Sequence, residues 1–277
     1  MRLLRYNSLT AFADWMIDYP DVYYHNQGVD VEHVNFRQFA PDRVAPFDSV
    51  FVKTDLLHNA LPALAKIAVP WHLLTGNSDL DIQQSTADTL LSFNNLVSWS
   101  GNNLQPFHSM CLQIPIGLSS TGTQRPNTFT ALPKQNILRP IKMCLTPLSN
   151  THPERHKVKN WIQKNCYTVE GDLLWQDYQN IVSVSQFSIC PRGNGVDTHR
   201  VMEALALGAI PVVKTSYLDK MYSEIGCKII DEWQDLYNVN KWLYSAPDQK
   251  YATFDFWLQK FHVHKTLFQQ KMILQAN

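Results

Sequence analysis

The chain has 277 residues, enough for two compact domains. With 45% hydrophobic and 17% charged residues it can bury a large core, which excludes a disordered chain. Its 24 Lys and Arg balance its 24 Asp and Glu, so no global field recruits nucleic acid or an anionic membrane, and neither is expected as a partner.

Along the chain, Met1-Arg-Leu-Leu-Arg-Tyr-Asn-Ser places Arg5 and Asn7 where a signal peptide needs its apolar stretch. No apolar run reaches the roughly 20 residues that span a bilayer. A soluble, cytoplasmic protein without membrane insertion is expected. Short apolar runs then alternate with amphipathic stretches, the βαβ signature of parallel sheets. The first half predicts strands at Ser49–Lys53, Trp71–Thr75, Leu96–Trp99 and Met110–Ile116, with helices at Asp55–Ala68 and Asp79–Phe93. Ser119–Pro140 breaks the rhythm with Gly122, Pro126, Pro133 and Pro140 and reads as a linker. The second half predicts strands at Ile141–Thr146, Phe187–Cys190, Ala209–Val213 and Lys228–Asp231. Its helices are expected at Pro153–Lys164, Leu174–Val184, Asp197–Leu207 and Tyr217–Ile225. The last stretch reads as two helical segments broken around Pro247, with Phe254, Trp257 and Phe261 at helical spacing as core. The five cysteines, 111, 144, 166, 190 and 227, form no CxxC pair, so neither a zinc knuckle nor a disulfide framework is indicated. Cys111, Cys144 and Cys190 lie in apolar runs as small core residues.

The chemistry concentrates in Phe187-Ser-Ile-Cys190-Pro-Arg192-Gly-Asn-Gly195-Val-Asp-Thr-His-Arg200. An apolar strand ends at Pro191, and Gly193 and Gly195 permit a tight turn around Asn194. Asp197 or Thr198 can cap the helix that follows, which Gly208 terminates. Such a turn presents N–H groups and a partial positive charge to an anion. Arg192 and Arg200 flank it, and Arg suits bidentate phosphate contact. Arg200 and Glu203, three apart, share a helix face: a cation for phosphate beside a carboxylate for ribose hydroxyls. A plain βα turn with a surface Arg–Glu pair would show the same spacing. The segment lacks the third glycine of a dinucleotide fingerprint and the Gly-Lys-Ser/Thr of a P-loop.

Residues 190–213, Cys-Pro-Arg-Gly-Asn-Gly-Val-Asp-Thr-His-Arg-Val-Met-Glu-Ala-Leu-Ala-Leu-Gly-Ala-Ile-Pro-Val-Val, resemble the C-terminal signature of exostosin-like glycosyltransferases (glycosyltransferase family 47). Ile114-Pro-Ile-Gly-Leu118, Ser149-Asn-Thr-His-Pro-Glu-Arg155, Leu74-Thr-Gly-Asn-Ser-Asp79 and Asp231-Glu-Trp233 resemble further segments of that family, particularly its small soluble members in large DNA viruses and microbes. The resemblance implies a GT-B fold, two facing Rossmann-like α/β domains with parallel sheets and a C-terminal helix crossing back. The corresponding divisions are 1–130 (acceptor side), 131–250 (donor) and 251–277 (returning helix). It implies a hexosyl- or pentosyltransferase moving a sugar, with inversion, from a UDP-sugar such as UDP-xylose or another neutral donor to a glycan or glycoprotein hydroxyl. No cofactor and no protein-bound metal are implied. Arg200 would meet the diphosphate and Glu203 the ribose. Asn150 and Arg155 would stand on the phosphate side, and Arg192, Gly193, Asn194, Gly195, Asp197, Thr198 and His199 would complete the donor site.

Inverting transfer also needs a base for the acceptor proton. Asp79, after a strand end, is the choice, with Asp55, Asp81, His25 and His58 in reserve; Asp79 could equally N-cap a helix over Leu80–Phe93. Asp79-Leu-Asp81 alone does not make a metal-binding Asp-x-Asp, and His152 with His156, like His262 with His264, reads as a solvated helix face. Two other classes compete: a nucleotide-sugar epimerase of the same fold, and a non-catalytic sugar-nucleotide or glycan-binding module.

Overall fold

The computed structural model describes residues 2–6, 8–19, 32–34, 37–119, 137–162, 166–169 and 171–276. The chain divides into two units, one formed by Tyr6–Ile116 with Asp255–Asn277, the other by Met1–Arg5 with Gly117–Phe254. The boundary expected at 130/131 falls outside the described residues.

In the first unit, strands β1 (Trp15–Ile17), β2 (Glu32–Val34), β3 (Ser49–Lys53), β4 (Trp71–Gly76), β5 (Leu96–Gly101) and β6 (Cys111–Gln113) form one sheet in the order β2-β1-β3-β4-β5-β6. Every pairing is parallel. β4 and β5 are buried along their whole length, as strands covered on both faces must be. Trp99 of β5 donates its indole N–H to Thr75 Oγ1 at 2.9 Å. Gly101 is required beside it, because a Cβ there would stand 2.4 Å from the Thr75 carbonyl oxygen. The helices are shorter than their apolar periodicity predicts. α1 covers Leu57–Leu64 after a 3-10 turn at Thr54–Leu56, and α2 covers only Gln84–Leu91. Residues 79–83 are an irregular approach to α2, whose N-cap is Gln83. β1 and β2 escape sequence reading because three residues show no periodicity.

The second unit repeats the plan. β7 (Ile141–Leu145), β8 (Cys166–Thr168), β9 (Ser185–Ile189), β10 (Ile210–Lys214) and β11 (Lys228–Ile230) run parallel in the order β11-β10-β9-β7-β8. Between them lie α3 (Pro153–Lys159), α4 (Trp175–Ser183), α5 (His199–Ala206) and α6 (Asp219–Glu224). Met143, Leu145, Phe187, Ile189, Val212 and Ile230 build its core with Trp233 and Leu236. α5 is buried on nearly every side, from Val201 through Ala206. It ends where predicted, at Gly208, whose φ of +78° suits a residue without Cβ and whose N–H reaches Leu205 O at 2.9 Å. In both sheets the strand order reverses beside the first strand, between β1 and β3 and between β7 and β9. In open α/β sheets, ligands bind at the carboxyl ends of strands at such a point.

The C-terminus departs from expectation. Two 3-10 segments, Trp233–Lys241 and Gln249–Ala252, precede one unbroken helix, α7 (Phe254–Ala276). Its Phe254, Trp257 and Phe261 are fully buried, as their spacing predicts, and Phe261 stacks on Phe12 at 5.6 Å. α7 returns to the first unit's sheet. Lys265 Nζ donates to Ser49 Oγ at 2.6 Å, and His264 Nε2 lies 2.9 Å from Met110 O. His264 therefore does not lie on a solvated face; it is spent on packing.

All five cysteines are free, and Cys144, Cys166 and Cys190 are buried, whereas Cys111 is only half-buried. Among the described residues no helix is long and apolar enough to cross a membrane.

Candidate functional site

Two loops meet at the reversal point of the second sheet. One leaves β7 as Thr146-Pro-Leu-Ser149 and enters α3; the other leaves β9 as Cys190–Gly195 and enters α5. Arg155 of α3 joins them, donating from Nε to Arg192 O at 2.9 Å and from Nη1 to Ser149 Oγ at 2.7 Å. Its guanidinium lies under the turn so closely that a Cβ on Gly193 would stand 3.0 Å from Nη2. A side chain at that position would have to displace the Arg155 guanidinium by a few tenths of an ångström. Arg192 folds over the same turn and donates to Asn194 O at 2.8 Å. Thr198 is the N-cap of α5 without a side-chain cap bond. Asp197 is buried and accepts from Thr198 N at 2.9 Å and Tyr222 Oη at 3.1 Å. His199 Nδ1 lies 2.7 Å from Gly117 O. Asn150 is exposed, its Oδ1 2.6 Å from His156 Nε2, while His152 Nδ1 accepts from Glu154 N at the start of α3. His156 is exposed and His152 partly so, as expected of a solvated face.

Arg200 differs from these. Its side chain is buried, only 8% exposed, and donates to Thr146 Oγ1 and Pro147 O. Both partners are neutral, and among the described residues no carboxylate forms an ion pair with it. Its guanidinium carbon stands 5.9 Å from the Tyr178 ring centre. Arg200 forms part of the wall of a pocket of about 890 Å³ bounded by the ends of β7 and β8, α3 and the start of α4. Thr146, Lys159, Thr168, Asp172, Trp175 and Tyr178 also line it. Of the residues named from sequence for the donor site, Arg200 alone is in that lining. The turn Gly193–Gly195, Asn150, Arg155 and Arg192 stand outside it. Thr168 escapes sequence reading because β8, which carries it, has three residues and gives no periodic signal.

Glu203 is the residue that the resemblance puts at the ribose. It has no exposed surface and does not line the pocket. Its Oε2 accepts the Tyr178 hydroxyl proton at 2.7 Å. Burial, and after it the Glu203 charge, holds the Tyr178 hydroxyl well above the usual phenol range, so it stays protonated and donates.

In the first unit, three strand ends gather carboxylates around Tyr6. Its hydroxyl is pushed up to about 12 by burial first, then by Asp79, Asp55 and Asp18. Asp55 sits 3.3 Å from Lys53 Nζ, and that ammonium also donates to Asn77 O. Asn77 holds a left-handed φ of 53° and is wholly buried, and among the described residues neither side-chain amide atom has a partner. Asp79 and Asp81 are exposed in the loop before α2, and the N-cap alternative for Asp79 falls because the helix starts at Gln84. His58 is exposed on α1, and His25 lies outside the described residues. Among the described residues no group of three or more His, Cys, Asp or Glu is arranged to hold a metal.

The model of the RXYLT1 C-terminal domain family matches residues 148–236, about a third of the chain. That span runs from the loop after β7 through Trp233, whose indole donates to Glu154 at 2.9 Å. No curated protein matches the chain. Among solved structures it is similar to OtsA in its apo form, at 9% identity and a TM-score of 0.39 over 83% of this chain and 73% of that one. A structure described as "Trehalose-6-phosphate from E. coli bound with UDP-2-fluoro glucose" gives 9% identity and 0.36 over 84% and 73%. A trehalose-6-phosphate synthase studied with bisubstrate glycomimetics gives 9% and 0.38 over 84% and 75%.

Proposed function

We propose that this chain is a glycosyltransferase of the GT-B type, with the nucleotide sugar held by the unit that contains β7–β11. One observation carries the reading: Arg200 is a buried cation with only neutral partners, facing a pocket at the carboxyl ends of β7 and β8. A buried charge without a counter-charge is costly, and an incoming diphosphate would supply one. The match to the RXYLT1 C-terminal domain over the same loops supports it.

The reaction in this reading is a single displacement. The acceptor oxygen bonds to the anomeric carbon as the bond from that carbon to the diphosphate breaks, and configuration inverts. The acceptor proton passes to Asp79, and the departing diphosphate's charge is met by Arg200. The donor is a UDP-sugar, xylose or another neutral hexose or pentose, and the acceptor a glycan hydroxyl. No protein-bound metal takes part, so UDP release should persist after exhaustive EDTA treatment. Activity that vanishes and returns only with Mn²⁺ or Mg²⁺ would remove that part of the proposal.

The central test is Arg200→Ala. Loss of a charge-assisted contact worth about 1.5–3 kcal/mol should weaken UDP binding roughly 10- to 100-fold and abolish measurable transfer, with the circular dichroism spectrum unchanged. Wild-type turnover in a folded Arg200→Ala protein would overturn the assignment.

A further inference from the structure

Arg200, Tyr178 and Trp175 stand in series along the pocket wall. The Arg200 guanidinium carbon lies 5.9 Å from the centre of the Tyr178 ring, within cation–π range. The Tyr178 ring stacks on Trp175 with centres 4.9 Å apart and planes 12° apart. All three residues line the pocket. Tyr178 and Trp175 are one turn apart on α4, and the Tyr178 hydroxyl is tied to Glu203 Oε2 at 2.7 Å, so the stack is anchored from within the fold. Tyr178 is buried, whereas Trp175 is only half-buried. The same lining holds Ile162, Val169 and Leu173, apolar side chains that offer nothing to a phosphate.

We infer that the indole of Trp175 is the surface on which the nucleobase stacks. The inference rests on the nucleotide reading above and concerns the part of the nucleotide that Arg200 cannot hold. A diphosphate answers the cation. A base is a flat, uncharged ring whose faces make no hydrogen bonds, and it is held by an aromatic surface. Trp175 supplies the largest aromatic surface in this lining, and it already takes part in a near-parallel stack that a base would extend. Because Tyr178 backs the indole, little rotamer freedom is left to lose on binding. Stacking is indifferent to the edge of the base. Trp175 therefore contributes affinity, while polar groups of the same lining such as Thr168 and Asp172 are left to choose between bases.

The test is calorimetric binding of UDP, GDP, ADP, inorganic pyrophosphate and ribose 5-phosphate to wild type, Trp175→Phe and Trp175→Leu. Trp175→Leu should weaken the nucleotide that wild type binds by about 5- to 150-fold, and Trp175→Phe by less, because a smaller ring remains. Pyrophosphate and ribose 5-phosphate should bind all three proteins alike. Unchanged nucleotide affinity in Trp175→Leu would overturn the inference while the nucleotide reading stands. An equal loss for pyrophosphate would also overturn it, making Trp175 a support for Tyr178 and Arg200. An equal loss for ribose 5-phosphate would put the sugar ring, not the base, on the indole. If none of the three nucleotides binds wild type, both readings fall together. Should Trp175→Leu fail to fold, indole emission carries the test: nucleotide should quench wild type more than Trp175→Phe, and equal quenching would overturn the inference.

Discussion

At the residue scale, the same side-chain types carry different duties according to burial and partners. On sequence grounds Arg155, Arg192 and Arg200 are all candidates for the phosphate side. In the structure Arg155 is a strut between two loops, Arg192 closes on its own turn, and Arg200 alone faces the pocket. Asp79 gains from a similar sorting. With the helix starting at Gln84, its exchange for Asn removes no cap. If it takes the acceptor proton, Asp79→Asn should lower kcat by about 10²–10⁴-fold while leaving UDP affinity near normal. Steady-state UDP release with an acceptor reads the first quantity and calorimetry the second. A kcat near wild type would shift the base to Asp55, Asp81, His25 or His58. Arg200 is legible in the sequence because Arg beside a glycine turn at a helix start is a recognisable anion pattern. Tyr178 is not, because its partner lies 25 residues away and only folding brings them together.

At the element scale, the packing of α7 on β4 fixes a titration. His72 on β4 has no exposed surface; its Nδ1 lies 2.7 Å from Ser98 Oγ and its Nε2 lies 3.1 Å from Gln269 of α7. Burial chiefly, then Lys265 and His264, lowers its pKa to about 3 from the ordinary 6.5. The folded ring is thus neutral while the unfolded one gains a proton below about 6.5. Stability should be flat above that pH and fall as pH drops through 6.5 towards 3. Between pH 7 and 5 the loss from this one group is roughly 1–2 kcal/mol. His264, also lowered by burial, adds to it with the same sign. Urea midpoints at pH 7 and 5 check this, with His72→Gln expected to flatten the difference. A His72→Gln chain as acid-sensitive as wild type would show that other groups set the slope. Strands of five or six buried residues are readable from their apolar runs, whereas β1, β2 and β8 are not. A three-residue strand is defined by its neighbours in the sheet rather than by its own pattern.

At the scale of the whole molecule, each unit is completed by chain from the other end of the sequence. Residues 255–277 belong with the first unit, and Met1–Arg5 belong with the second, where Leu4 N reaches Ala252 O at 2.9 Å. Deleting residues 255–277 would strip Trp257 and Phe261 from the first unit's core. Losses of about 3–5 kcal/mol per large aromatic rival a domain's total stability of roughly 5–15 kcal/mol. Amides of β3, β4 and β5 should then lose their protection against hydrogen exchange. Retained protection would mean that α7 is an accessory rather than a part of that core.

The two parallel α/β units, the glycine turn leading into α5, the Gly208 stop and the buried aromatic face of α7 are all written in the amino-acid order. Each follows from local periodicity or from a backbone requirement that a few neighbouring residues express. Folding in three dimensions settles which arginine faces the pocket, that Glu203 is sealed behind Tyr178, and that residues 79–83 precede α2 instead of joining it. Those outcomes depend on burial and on partners distant in sequence, and a charged side chain's role is set by what surrounds it in space.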